Sequence, residues 1–168
     1  MLSIRPLTAA DIEALRTLAR NIWTATYTSL ISQQQIDYML ADRYAAARLQ
    51  GQINDPQHAW RLACWTNEIV GFAHARIEAD SCKLDKLYIH PDYQRRGIGR
   101  ALLNDIKAFA HDHATTRLSL QVNRGNTAAI AAYEQYGFIT CEARVFDIGG
   151  GFVMDDYVME APLKSSQG

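Results

Sequence analysis

Leu84 to Ala101 (LDKLYIHPDYQRRGIGRA) narrows the fold more than any other stretch, because it must supply a strand, a sharp turn and a helix start in immediate succession. Leu84, Leu87 and Ile89 are strand-type apolar residues, and Pro91 forbids the ladder from continuing. From Gly97 onward Ile98, Leu102, Ile106 and Phe109 recur at helical spacing. The glycines therefore stand at a helix N-terminus, where the first turn presents unpaired N–H groups and the positive end of the macrodipole. Gly97 and Gly99 carry no Cβ to hold a ligand off the backbone. Arg95, Arg96 and Arg100 add three cations where the dipole already favours negative charge, an arrangement suited to an anion such as phosphate. A surface turn with solvated arginines is the plainer reading. The strand before it and the long apolar helix behind it favour the anion site.

The nucleotide class can be narrowed. No Lys-Ser or Lys-Thr pair follows Gly99, so the P-loop lysine and its magnesium-binding hydroxyl are missing. A dinucleotide fingerprint would need a small residue where Leu102 stands and an acidic one where Asn123 stands. Gln94-Arg95-Arg96-Gly97-Ile98-Gly99 instead resembles motif A of the GNAT superfamily, the acetyl-CoA-dependent N-acetyltransferases. A second block agrees in order and spacing: Asn126, Tyr133 and Tyr136-Gly137-Phe138 are similar to that family's following helix and its Tyr-x-x-x-Gly-Phe ending. The resemblance spans roughly residues 69 to 140 and is compatible in order and length at both ends.

The 168 residues suit one domain, expected over 1–163, with Lys164 to Gly168 as a loose tail. A net charge of −1 gives no global attraction to nucleic acid or to an anionic membrane, so a small-molecule partner is expected. Cys64, Cys82 and Cys141 are odd in number and far apart, and are expected in apolar surroundings. They suggest neither a disulfide framework nor a zinc site, and fit a reducing cytosol. His111 and His113 flank Asp112 two apart on a helix, do not share a face, and make no metal site. Met1 to Leu7 lacks a signal pattern, and no apolar run approaches the ~18 residues of a spanning helix. A soluble, cytoplasmic protein without metal is expected.

Along the chain, Leu2 to Arg5 reads as a strand, and Thr8 with Asp11 as a capping arrangement that starts a helix with core stripe Ile12, Leu15, Leu18, Ala19, Ile22 and Trp23. Trp23 to Tyr44 carries more aromatic and apolar area than one short helix must bury. Strands follow at Trp60 to Thr66 and Ile69 to Ile77, joined by Asn67-Glu68, and then at Cys82 to Ile89. A crossover through the long helix to Leu118–Val122 implies one parallel strand pair. Asn126 to Tyr136 is the last helix, and Phe138–Ile148 with Phe152–Leu163 close the sheet as a hairpin whose Gly149-Gly150-Gly151 loop is expected to be mobile.

The resemblance implies an α/β (α+β) acyl-CoA N-acyltransferase fold. That is a mixed, mostly antiparallel twisted sheet of about seven strands, flanked by about four helices, with a splayed parallel pair that admits the pantetheine arm. It implies acetyl-CoA as co-substrate, bound by Leu87, Tyr88, Ile89, Gln94, Arg95, Arg96, Gly97, Ile98, Gly99, Arg100, Asn126 and Tyr133. In the implied reaction an amine attacks the thioester through a tetrahedral oxyanion. The Ile89 backbone N–H would meet that oxyanion and the Tyr133 hydroxyl would protonate the departing thiolate. Members of the family that acetylate a peptide N-terminus often place a glutamate as base where this chain has Gln121, and an amide cannot serve. Asp85, Asp147 or a water chain is left for that task. Asp155 and Asp156 point to opposite strand faces, so at most one can face the cleft, and solvated charges are the simpler reading. His74 reads as a sheet histidine; His90, beside the bulge expected at the strand end, is a position to watch for proton transfer. The expected activity is acetylation of a small amine. A protein N-terminus or lysine, and an acetyl-CoA-binding module without turnover, are the alternatives. Acceptor choice is expected to lie in Trp23–Tyr44 and the Ile148–Phe152 loop. Homodimers are common in the family, and no stretch specifies one.

Overall fold

In chain order the computed structural model, which describes residues 1–163, runs β1 (Leu2–Pro6), α1 (Ile12–Tyr27), α2 (Gln33–Arg43), α3 (Ala46–Ile53), β2 (His58–Trp65), β3 (Glu68–Glu78), β4 (Ser81–Ile89), α4 (Ile98–Asp112), β5 (Arg117–Asn123), α5 (Thr127–Gln135), β6 (Ile139–Gly149) and β7 (Phe152–Pro162). The tail expected over residues 164–168 lies outside the described residues. All seven expected strands form, in the order β1-β2-β3-β4-β5-β7-β6, and only β4 and β5 run parallel. Among the described residues five α-helices stand where about four were counted; the additional one is α3, a short helix that buries a single residue, Leu49.

Alternation along β2 assigns the layers. Ala59 and Ala63 face one side, where their small size lets α4 approach with Ile98, Leu102, Ile106 and Phe109. Trp60, Leu62 and Cys64 face the other, under α1, α2 and α3. The stripe predicted for α1 is buried throughout. A bidentate pair from Arg5 to Asp11, at 2.7 and 2.9 Å, ties the end of β1 to the start of α1, while Asp11 also accepts from the Thr8 N–H at 3.0 Å. Arg5 beside it holds the Asp11 carboxyl well below the usual range. The β2–β3 turn is Thr66-Asn67, both at positive φ (48° and 71°), one residue earlier than the sequence suggested. Two left-handed residues match the twist of a tight hairpin.

One irregularity shapes the site. Ala75 pairs with Leu84 and His74 with Lys86, so Asp85 is an extra residue in β4. Before it Cys82 and Leu84 face the α4 layer; after it Leu87 and Ile89 do, which reverses the parity. Parallel pairing with β5 ends at Lys83↔Ser119, just before this bulge, whereas β5 stays paired with β7 as far as Asn123↔Asp156. A bulge bends its strand and increases local twist, which accounts for the splay. The bulge therefore sits at Asp85 and not beside His90. His90 opens the next turn instead: its N–H donates to Val70 O at 2.8 Å, and its Nδ1 accepts from the Asp92 N–H at 3.1 Å.

Cys64 and Cys82 are buried, but Cys141 is exposed on β6, which corrects the apolar surroundings read for it. Among the described residues no helix is long and apolar enough to cross a membrane. No group of three or more His, Cys, Asp or Glu among them could hold a metal ion.

Candidate active site

α4 starts on Gly97, whose φ of +80° is left-handed and strained for any residue with a Cβ. The first-turn N–H groups behind it open into a cavity of about 970 Å³, near the upper end of ordinary ligand pockets, ~300–1,000 Å³. Of the residues expected to bind the co-substrate, Leu87, Tyr88, Ile89, Gln94, Arg95, Gly97, Ile98, Gly99, Asn126 and Tyr133 all line it. Arg96 and Arg100 do not. The Arg96 guanidinium lies over Trp65 and Tyr93, 5.3 and 5.0 Å from the ring centroids, and that of Arg100 lies 5.0 Å from the Tyr136 ring. Arg95 is thus the cation on the cavity wall, beside the helix dipole. Gly99 serves packing: a Cβ there would lie 3.0 Å from the Tyr136 hydroxyl. Asn126 also caps α5, its Oδ1 accepting from the Ala129 N–H at 3.3 Å.

The cavity reaches the β4–β5 gap. Because the His90 N–H points at β3, strand alternation turns the Ile89 N–H to the opposite edge, toward the gap. Tyr133 is half-buried with its ring edge-on to Phe138 at 5.7 Å. Burial pushes its hydroxyl pKa well above the usual value, so it keeps its proton at neutral pH.

A second cavity of about 240 Å³ lies on the other face of the sheet, under α1 and α2. Trp23, Tyr27, Met39 and Arg43 line it from the segment expected to choose the acceptor, and Ile148 from the glycine loop. The two cavities share Tyr27, Leu84, Asp85, Tyr88 and Gln121, so they meet where β4 and β5 part. The Tyr27 and Tyr88 hydroxyls bond each other at 2.9 Å at this junction.

Here the carboxylates sort differently from the sequence reading. Asp85 pairs with Lys86, and His74 Nδ1 lies 3.2 Å from it. Burial pushes its carboxyl up, but Lys86 and His74 together outweigh that and hold it well below the usual range, which makes it a poor base. His74 is a sheet histidine, stacked on Trp60 at 4.5 Å and bonded to His58 at 2.8 Å; burial pushes its pKa down to about 4. Asp147 is exposed and accepts from the Gly149 N–H at 2.9 Å. Asp155 is a surface charge paired with Arg124 at 3.3 Å, but Asp156 is not solvated: it is 5% exposed, lines the smaller cavity, and its Oδ1 is buried without a hydrogen-bond partner among the described residues. Burial pushes its carboxyl up to about 6, against the pull of Arg43 and Lys83. Gln121, in place of the glutamate, accepts from Lys83 Nζ. The adjacent aspartates signalled only that at most one could face the cleft, with solvated charges the simpler reading; the burial of Asp156 follows from the position of β7 inside the sheet.

The comparisons agree with this geometry. A spermidine N(1)-acetyltransferase of Thermoplasma acidophilum is 27% identical over 168 aligned residues, covering 98% of this chain and 99% of that protein. A ribosomal protein bS18-alanine N-acetyltransferase of Escherichia coli is 38% identical over 71 residues, 42% of this chain and 48% of its own. The crystal structure of the PaiA N-acetyltransferase of Thermoplasma acidophilum in complex with coenzyme A superposes with a TM-score of 0.82 at 26% identity, covering 96% and 99% of the two chains. With residues 13–138 matching the model of the acetyltransferase (GNAT) family, and with the fold that its members share, this chain belongs to the GNAT family of N-acetyltransferases.

Proposed function

We propose that the protein transfers acetyl from acetyl-CoA to the primary amine of a small molecule. The observation that carries this reading is the meeting of the two cavities at the splayed strands, one large enough for the nucleotide and one of about 240 Å³ for the acceptor. When bound, the co-substrate supplies an activated acetyl thioester. The first turn of α4 and Arg95 hold its phosphates, the Ile89 N–H meets the developing oxyanion, and Tyr133 gives a proton to the departing sulfur. The coenzyme A bound by the Thermoplasma PaiA structure supports the donor, and the spermidine named for the Thermoplasma relative supports a small amine. A protein N-terminus is the second reading, motivated by the bS18-alanine relative.

Free-thiol release from acetyl-CoA with a panel of small amines and an Ala-started peptide tests the proposal. Thiol is expected with small amines first, and Tyr133→Phe is expected to lower kcat about 10²- to 10⁴-fold while coenzyme A still binds. Near wild-type turnover in that variant contradicts the acid role. Binding without thiol release from any acceptor contradicts the enzyme reading and favours a binding module.

A further inference from the structure

Five cations and three carboxylates line the smaller cavity. Most of them satisfy one another: Arg48 lies 3.3 Å from Asp42, Lys86 pairs with Asp85, and Arg76 reaches Glu78 at 2.8 Å and Asp85 at 3.8 Å. Three charges are left over. Asp156 has no partner for its buried Oδ1, half-buried Arg43 has no ion pair or hydrogen bond among the described residues, and Lys83 bonds only the neutral Gln121. Arg43 and Lys83 are close enough to Asp156 to pull on its titration, so the three charges form one group in the smaller cavity, which Lys83 ties to the junction through its bond to Gln121.

An uncompensated buried charge is unfavourable unless a ligand completes it. We propose that the acceptor is a zwitterionic amine, an aminocarboxylate, whose amine is received by Asp156 and whose carboxylate is held by Arg43 with Lys83. The planar guanidinium fork matches a carboxylate, and the volume equals about eight waters at ~30 Å³ each, which suits a short molecule. A polyamine fits this charge set poorly, since its second ammonium would face Arg43 and Lys83. The inference rests on the acetyl-transfer reading and adds the acceptor class and the base. The bound ammonium gives one proton to Asp156. Its nitrogen then attacks the thioester carbonyl, forming the C–N bond, and the C–S bond breaks as the carbonyl re-forms. The nitrogen loses a second proton on becoming an amide, which replaces the one Tyr133 gives to sulfur, and Asp156 releases its proton to solvent, one per turnover.

Thiol-release kinetics with aminocarboxylates from glycine to 6-aminohexanoate, each beside the diamine and alkylamine of equal length, test the proposal, together with calorimetric titration of the same compounds into coenzyme A-saturated protein. The best aminocarboxylate is expected to exceed its matched diamine and alkylamine at least about tenfold in kcat/KM. Arg43→Gln is expected to raise KM for it with little change in kcat and to narrow the preference to about threefold; turnover of the alkylamine, which carries no anion, reports that the variant is folded. A preferred diamine, or selectivity unchanged in Arg43→Gln, overturns the proposal and leaves acetyl transfer standing. Aminocarboxylate binding that Arg43→Gln abolishes, with no thiol release from any amine, overturns acetyl transfer and leaves the zwitterion site standing. Neither binding nor release overturns both.

Discussion

Asp156→Asn is expected to lower kcat about 10²- to 10⁴-fold at neutral pH while making the protein more stable. Both effects follow from the buried carboxyl raised to about 6 from an ordinary 3.8. An alkylammonium of pKa about 10.4 yields its proton reluctantly, and raising the carboxylate's pKa narrows that gap by about two units. Asparagine accepts no proton, so the limb of the wild-type profile that rises with pH through about 6 should vanish in the variant. For stability, the folded pKa lies above the unfolded one. The native protein therefore loses stability as pH rises from about 4 to about 6 and carries the full penalty above that range. Removing the ionisable group is worth up to about 3 kcal/mol at pH 8, less whatever the buried amide fails to bond, and nothing below pH ~4. In a chain of this size each kcal/mol moves Tm by about 2–4 °C. Thermal unfolding and pH-rate profiles of the two proteins check both. Unchanged kcat would place the base elsewhere, and equal Tm at pH 8 would deny the burial penalty.

The second large effect belongs to the helix start. Gly97→Ala introduces a Cβ at a φ of +80°, where an L-residue is disfavoured by about 1–2 kcal/mol. Relief of that strain would turn the first N–H groups of α4 away from the pyrophosphate, so coenzyme A should bind at least about tenfold more weakly, ~1.4 kcal/mol. Gly51→Ala in α3 is the control: its Cβ would meet nothing within 4 Å, and a mid-helix alanine should stabilise by up to about 1 kcal/mol without altering affinity. Calorimetric titration of coenzyme A distinguishes them. Wild-type affinity in Gly97→Ala would mean that this turn does not hold the phosphates.

Much of this architecture was legible from periodicity. The alternation in β5 and the helical stripe of α4 are strong local signals, and Pro91 with Gly97 marks the turn between strand and helix without ambiguity. The bulge was displaced because Asp85 has no distinguishing composition; only its register against β3 makes it the extra residue. Arg96 and Arg100 look like anion ligands in the sequence, yet the aromatic rings of Trp65, Tyr93 and Tyr136, two of the three distant in sequence, claim them. Asp156 escaped for the opposite reason. A charged residue near a hairpin end reads as solvated, but β7 lies between β5 and β6, and α2 packs over that face, with Gln35 Nε2 donating to Val153 O at 2.8 Å. Burial there is a product of topology. Arg43 had no signal at all, because a cation in the last turn of a helix is ordinary, and only the absence of a partner sets it apart.

A crystal structure with coenzyme A joined through its acetyl group to the nitrogen of an aminocarboxylate tests most directly whether the parting of β4 and β5 is where thioester and amine meet. The account predicts pyrophosphate on the first turn of α4, the acetyl carbon in the gap between the Ile89 N–H and Tyr133, and the nitrogen about 3 Å from Asp156. A conjugate that stays on the α4 face of the sheet, with its nitrogen away from Asp156 and the smaller cavity unused, would contradict it.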